Sequence, residues 1–343
     1  MNPIRFDGRV AVVTGAGGGL GRAHALLLAA RGAAVVVNDL GGSLAGQGGA
    51  AAAASGMVRE IEAAGGRALA SFDDIATPEG AQALIDAALG AFGRVDILVN
   101  NAGILRDRTL RNLAPADFEA VVRVHLQGSA WCSRAALAPM QAQHYGRIVM
   151  TTSAAGLYGN FGQSNYGAAK LGVVGLMNSL KAEGAKYGIT VNTVAPVALT
   201  RMTEGLPLAR MLGEASPERV AAGVARLASE ACAESGVILS AGAGYFSTVR
   251  IVEGRGLHLP LEEVSPESVA EQWGHDRQPR GRARLCRRRR GADGRLRQPL
   301  MEAGPDPVRR HPPCAAGRRG AALSRPREGS RRRGAGPWPC AAA

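Results

Sequence analysis

Cysteine is scarce and poorly placed for its structural uses. The five cysteines form no CxxC pair and no metal-ligand spacing, and only Cys132 and Cys232 precede residue 275. This argues against a zinc site and a disulfide framework, and fits a reducing compartment. No signal peptide is expected at the start of the chain. The longest uncharged run of interest, Leu40–Val58, is built of Gly and Ala and is too weakly apolar to span a bilayer. A soluble cytoplasmic protein is expected, with no membrane contact and no metal.

After Gly274 the chain has no lysine, isoleucine, phenylalanine or tyrosine. Such a segment cannot bury a core and is expected to be disordered. Its nineteen arginines and five acids give +14 against a whole-chain charge of +13, so Met1–Gly274 carries −1. The basic runs Arg287–Arg290 and Arg331–Arg333 have the phosphate-binding footprint of a nucleic-acid tail. Arginine without lysine, mixed with Gly, Pro, Ala and stray Cys, instead resembles a GC-rich gene read in the wrong frame. The expected organisation is therefore one domain over 1–274 and an Arg-rich tail over 275–343, the tail being a frameshift product and nucleic acid the less favoured partner.

The body opens on a strand, Arg9–Thr14, that runs directly into Gly15-Ala16-Gly17-Gly18-Gly19-Leu20-Gly21 and then a helix. Glycines in that context permit a tight turn and bring backbone N–H groups to a pyrophosphate, so Gly15, Gly19, Leu20 and Gly21 are candidate cofactor contacts. A second strand, Ala33–Asn38, ends at Asp39, 18 residues after Gly21. A carboxylate there accepts from a ribose 2′-OH and repels a 2′-phosphate, which selects NAD over NADP. A turn-capping aspartate is the plainer alternative. Gly41–Ala54 is expected to be a flexible surface loop. The pair Asp73-Asp74 with Ile75, at the end of the strand Arg67–Phe72, suits an adenine edge. The next strand closes on Asn100-Asn101-Ala102-Gly103: Asn101 is assigned to the cofactor ribose and Asn100 to a tie between strands, and the two assignments are exchangeable. Strands alternating with helices imply a doubly wound parallel α/β sheet.

Tyr166 and Lys170 are four apart in a helical run, and Ser153 follows the strand-like run Arg147–Met150. A phenol is a poor base at neutral pH unless a positive charge favours its anion, which Lys170 can supply. Ser153 can hold the substrate oxygen while Tyr166 exchanges its proton. Taken alone, Tyr-x-x-x-Lys is more often a chance surface pair.

Four motifs in register, Thr14-Gly15-x-x-x-Gly19-x-Gly21, Asn100–Gly103, Ser153 and Tyr166-x-x-x-Lys170, resemble the short-chain dehydrogenase/reductase family. NDLGG at 38–42, NNAGILRDR at 100–108, RVHLQG at 123–128 and YGNFGQSNYGAAKLG at 158–172 are most similar to its (3R)-hydroxyacyl-CoA dehydrogenases, known as a domain of the peroxisomal multifunctional enzyme and as stand-alone bacterial proteins. The resemblance implies a three-layer Rossmann fold of about seven strands, Tyr166 as catalytic base, Lys170 lowering its pKa and holding the nicotinamide ribose, and Ser153 orienting substrate. It also implies homodimers or homotetramers built through the helix over 118–137 and the one carrying Tyr166.

His125 stands where most members have an asparagine that anchors a water in a proton relay; it is either a relay member or a packed helix residue. Ala198 and Thr200 are expected to border the nicotinamide carboxamide, and the stretch over 203–216 to cover the substrate. The implied reaction is NAD-dependent oxidation of a (3R)-3-hydroxyacyl-CoA to the 3-oxoacyl-CoA. The alternatives are a 17β-hydroxysteroid dehydrogenase of the estradiol type and a non-catalytic dinucleotide- or nucleic-acid-binding protein.

Overall fold

A computed structural model of the protein describes residues 3–49, 51–198, 215–254, 256 and 258–273. They form two compact units that divide after Glu253. The boundary expected at Gly274 and the arginine-rich tail lie outside the described residues.

In the first unit the strands are β1 (Val10–Thr14), β2 (Ala34–Asn38), β3 (Arg67–Ser71), β4 (Ile97–Asn100), β5 (Gly146–Thr151), β6 (Ile189–Val197), β7 (Ile238–Gly242) and β8 (Tyr245–Val249). They join in one sheet of order β3-β2-β1-β4-β5-β6-β7-β8. Neighbours from β3 to β7 pair in parallel, with Val12 opposite Val36 on one side and Leu98 on the other. This is the doubly wound α/β sheet expected, with one strand more. The addition is β8, antiparallel to β7 across Ala243 (φ 49°) and Gly244 (φ 81°). Two left-handed residues in a two-residue turn match the twist of a hairpin, which is why the chain reverses there.

Alternate residues of β1 face opposite layers. Val13 packs with Leu28 of α1 (Gly19–Ala30), Met57 and Ile61 of α2 (Ala52–Ala63), and Val224 of a C-terminal helix (Pro217–Ala228). Val12 packs with Leu84 of α3 (Pro78–Phe92). The same layer takes Met140 and Met177 from the helices before and after β5. Both faces being covered, strands such as AVVVN are buried throughout rather than alternating. Each fully buried Leu or Ile adds about 1.5–3 kcal/mol to this three-layer arrangement. Local signals set the helix ends: Thr77 Oγ1 accepts from Gly80 N–H at 3.1 Å, Pro78 takes the first turn, and Gly93 (φ 75°) closes α3.

Two local expectations change. Helix α2 begins at Ala52, inside the stretch expected as loop, because its alanines have the highest helix propensity. The single helix expected over 118–137 is α4 (Pro115–Val122), a π-turn over Arg123–Gln127, and α5 (Gly128–Ala142). That wider turn carries His125. After β5 come the short α6 (Ala154–Tyr158) and α7 (Ser164–Gly184); the Pro217–Ala228 helix is α8. The described part of the second unit contains α9 (Pro266–Gln272), capped by Ser265, whose hydroxyl accepts from Ser268 N–H at 3.0 Å.

Candidate active site

The parallel strands end together at one edge, and the cleft lies where the order reverses between β1 and β4, the place where open α/β sheets bind ligands. Gly15 (φ 62°) turns the chain out of β1; a Cβ there would stand 2.7 Å from Ala102 Cα, so a side chain is excluded. Thr14 Oγ1 accepts from Asn101 N–H at 3.0 Å and Ala102 N–H at 3.1 Å. The Asn101 amide donates to the carbonyls of Thr14 (3.0 Å) and Gly15 (3.1 Å). Asn100 donates to Ser133 Oγ at 3.1 Å. The amide tying β1 to β4 is thus that of Asn101, while Asn100 holds α5.

Gly15, Gly19 and Leu20 line a cleft of about 360 Å³ at the start of α1. Gly21 does not line it. Gly21 is buried, and a Cβ would strike the Gly15 carbonyl, so this glycine permits close packing of the turn. Asp39 also lines the cleft, and its carboxylate accepts from Gly17 N–H at 2.8 Å and Gly41 N–H at 2.6 Å. The turn-capping arrangement weighed above is therefore present, on a residue that still faces the cleft. Asp73, Asp74 and Ile75 line its far end: Asp73 accepts from the Ser71 hydroxyl (2.8 Å), and Asp74 from Ala76 N–H (3.0 Å). A turn that a Cβ would fill, beside a helix start and a carboxylate, fits a dinucleotide.

Tyr166, Lys170, His125, Thr151 and Pro196 line the same cleft. Ser153 ends the turn after β5 and caps α6, its hydroxyl accepting from Ala155 N–H at 3.2 Å. Lys170 is buried, donates to the Thr151 carbonyl at 2.6 Å and lies 5.5 Å from the centre of the Tyr166 ring. Burial brings its pKa down to about 7. Burial also raises the Tyr166 pKa, hydrogen bonding to Ser153 opposes this, and the Asp107 charge adds to it. Lys170 is not among the causes of that shift: with its own pKa at about 7 it is largely neutral over the alkaline range in which a phenol ionises. His125 has one ring nitrogen against Ile104, 2.8 Å from its carbonyl and 3.1 Å from its N–H, and burial holds its pKa well below 6.5.

Ala198 is buried just past the end of β6. Thr200 and the covering stretch up to residue 214 lie outside the described residues. Sequence reasoning missed the loop over 41–49, whose Ser43, Leu44 and Gly46 line the cleft, together with Arg106 and Arg123. Glycine content hid the loop. The runs ILRDR at 104–108 and RVHLQG at 123–128 hinted at the two arginines only as parts of a family pattern.

Residues 9–209 match the short chain dehydrogenase family. The chain belongs to that family, and it is an oxidoreductase. It is 48% identical over 274 residues to the peroxisomal multifunctional enzyme type 2 of Mus musculus, covering 79% of this chain and 37% of that one. A short-chain type dehydrogenase/reductase of Mycobacterium tuberculosis is 48% identical over 265 residues, covering 77% of this chain and 92% of that protein. A solved 7α-hydroxysteroid dehydrogenase complexed with NADH and 7-oxo glycochenodeoxycholic acid superposes with a TM-score of 0.64 at 31% identity, over 70% of this chain and 95% of that one. The chain spans between 30% and 60% of the length of the multifunctional relatives it matches. Members of the family bind NAD or NADP. No helix among the described residues is long and apolar enough to cross a membrane.

Proposed function

We propose that the protein is an NAD-dependent dehydrogenase oxidising the secondary alcohol of a (3R)-3-hydroxyacyl-CoA to the ketone. One observation carries this reading: the phenol of Tyr166, the amine of Lys170 and the imidazole of His125 line the same cleft as the glycine turn and Asp39. Gly15, Gly19, Leu20 and Asp39 would hold the adenosine and pyrophosphate half of a dinucleotide, with Asp73, Asp74 and Ile75 at the adenine. Lys170 would hold the other ribose. The bound nicotinamide supplies the hydride acceptor.

Tyr166 takes the proton of the substrate hydroxyl at its phenol oxygen, and Ser153 donates to the same substrate oxygen as charge develops on it. Lys170, fixed by the Thr151 carbonyl and with its pKa brought down to about 7 by burial, would exchange a proton with the phenol side of the cleft. NAD is favoured over NADP because Asp39 presents a carboxylate where a 2′-phosphate would sit. The likeness to the multifunctional enzymes supports the acyl-CoA substrate, and the likeness to a 7α-hydroxysteroid dehydrogenase keeps a steroid alcohol, estradiol among them, as the rival. A homodimer or homotetramer through α5 and α7 is part of the same proposal.

The test is NADH formation from NAD+ with a (3R)-3-hydroxyacyl-CoA, its (3S) enantiomer and estradiol, repeated with NADP+. Turnover of the (3R) thioester with NAD+ above all others is expected. Preference for estradiol or for NADP+ would overturn the corresponding part.

A further inference from the structure

The glycine-rich loop over 41–49 leaves β2 at Asp39 and crosses to the segment after β4. Within it, Ser43 N–H donates to the Gln47 carbonyl and Gly46 N–H to the Ser43 carbonyl, both at 2.9 Å, and Gln47 N–H donates to Ser43 Oγ at 3.2 Å. This small closed turn docks on the far side: Leu105 N–H donates to the Leu44 carbonyl at 2.9 Å, and Gly46 (φ 76°) packs on Ile104 so closely that a Cβ would stand 3.0 Å from its Cγ2. Both walls, Asp39 and Gly15 on one side and Ile104 on the other, line the cleft together with Leu44 and Gly46. The loop is a strap across it.

Arg106 fastens the strap. Its Nε donates to the Ala45 carbonyl at 2.9 Å while Nη1 donates to Asp117 Oδ1 of α4, also at 2.9 Å. Its own carbonyl accepts from the Asn165 amide at 2.9 Å, and Asn165 Oδ1 accepts from Tyr166 N–H at 2.8 Å. One residue therefore joins the strap, helix α4 and the first turn of the helix that carries the catalytic phenol. A segment this rich in glycine has much conformational entropy to lose and stays in place only where something anchors it.

The geometry points to Arg106 as a positioning residue that clasps the 41–49 strap over the bound dinucleotide and so controls its release. This rests on the dinucleotide reading above. A planar guanidinium meets two acceptors in different directions at once, which a lysine ammonium on a flexible stem does poorly. Opening the clasp frees the strap, and a ligand beneath it leaves faster, since changes of this kind act on the off-rate.

Stopped-flow displacement of NADH by excess NAD+ tests this on the full-length chain. In Arg106→Met, NADH release is expected to accelerate about tenfold, the worth of roughly one to two hydrogen bonds. Arg106→Lys should fall between Arg106→Met and wild type. Amide exchange over 40–49, slowed by NADH in wild type, should lose that protection in Arg106→Met at an unchanged unfolding midpoint. If Arg106→Met does not fold, Asp117→Asn, which spares the bond to Ala45, carries the test with a smaller acceleration. An unaltered release rate in the folded variants, or NADH protection of 40–49 that survives in them, overturns the clasp. Failure of the wild-type chain to bind NADH overturns the dinucleotide reading instead.

Discussion

The His125 imidazole meets the Tyr166 ring edge-on, with centroids 5.1 Å apart and planes at 88°. Close approach is possible because Gly103 offers no Cβ to the imidazole, while the π-turn over Arg123–Gln127 carries the ring inward. One nitrogen is engaged at Ile104; Nδ1 is buried without a partner. A buried nitrogen left open beside the Tyr166 phenol is costly for the fold, which makes His125 a candidate for the proton exchange proposed above rather than for packing alone.

Replacing His125 by Phe keeps the ring and removes both nitrogens. The expected outcome is a fall in kcat of roughly tenfold, about the worth of one hydrogen bond near the reacting oxygen, with NADH affinity retained. Because burial and the nearby Lys170 charge hold this imidazole neutral down to well below pH 6.5, the wild-type rate profile should show no histidine limb near neutrality. A kcat equal to wild type in His125→Phe would return the residue to a packing role.

On the proposed mechanism the phenol shapes the pH dependence together with Lys170. Burial and the Asp107 charge disfavour the phenolate, so alcohol oxidation with Tyr166 as the proposed base should quicken with rising pH, while ketone reduction does not. Asp107 is anchored by Gln163, whose amide donates to Oδ2 at 2.7 Å, and its Oδ1 is buried without a partner. Ser153, Lys170 and His125 are the other polar groups against the phenol. Neutralising the carboxylate in Asp107→Asn removes a negative charge, so the rising limb of kcat/KM should move to lower pH. Tyr166→Phe should lower kcat by about 10²–10⁴. An unmoved limb in Asp107→Asn would show that burial alone governs the phenol.

Asp39 carries two tasks that one substitution can separate. Its carboxylate holds Gly17 and Gly41 N–H and faces the cleft. Asp39→Asn keeps one acceptor oxygen for the turn and loses the charge. NAD+ affinity should weaken about tenfold, while the preference for NAD+ over NADP+ narrows by more, because repulsion of a 2′-phosphate is removed as well. Titration of both dinucleotides against the variant measures this, and an unchanged preference would assign Asp39 to turn-capping alone.

Much of this was legible because it depends on local rules. A strand, a glycine turn and a helix announce themselves within Val10–Ala30, and Tyr166 and Lys170 share a helix face by spacing alone. The doubly wound parallel sheet followed from strand–helix alternation, whereas its strand order comes only from the folded structure. The misses have a common physical origin in contacts between distant segments. Gly41–Gly49 has no periodicity of its own and is held by Leu105 and Arg106, about sixty residues on. Gly21 belongs to the glycine pattern, yet only the folded turn shows that it packs rather than faces the cleft. That Lys170 is buried, with its pKa brought down to about 7, likewise emerges only once the layers close over it.

His24 provides the last prediction. It lies in α1, buried among the helices on one face of the sheet, and neither ring nitrogen has a partner. Burial lowers its pKa to about 4, against 6.5 for an ordinary histidine. Above pH 6.5 the ring is neutral in folded and unfolded chains alike, so it adds no pH dependence there. Between about 6.5 and 4 the unfolded chain binds a proton that the folded chain refuses, so stability falls as the pH falls, by about 3 kcal/mol in total at 1.36 kcal/mol per unit. His24→Leu removes both the refused proton and the unpaired nitrogens. Urea unfolding at pH 7 and pH 4.5 should then show a variant more stable at neutral pH and with a smaller loss on acidification; equal losses in the two proteins would mean that the imidazole finds a partner or water in solution.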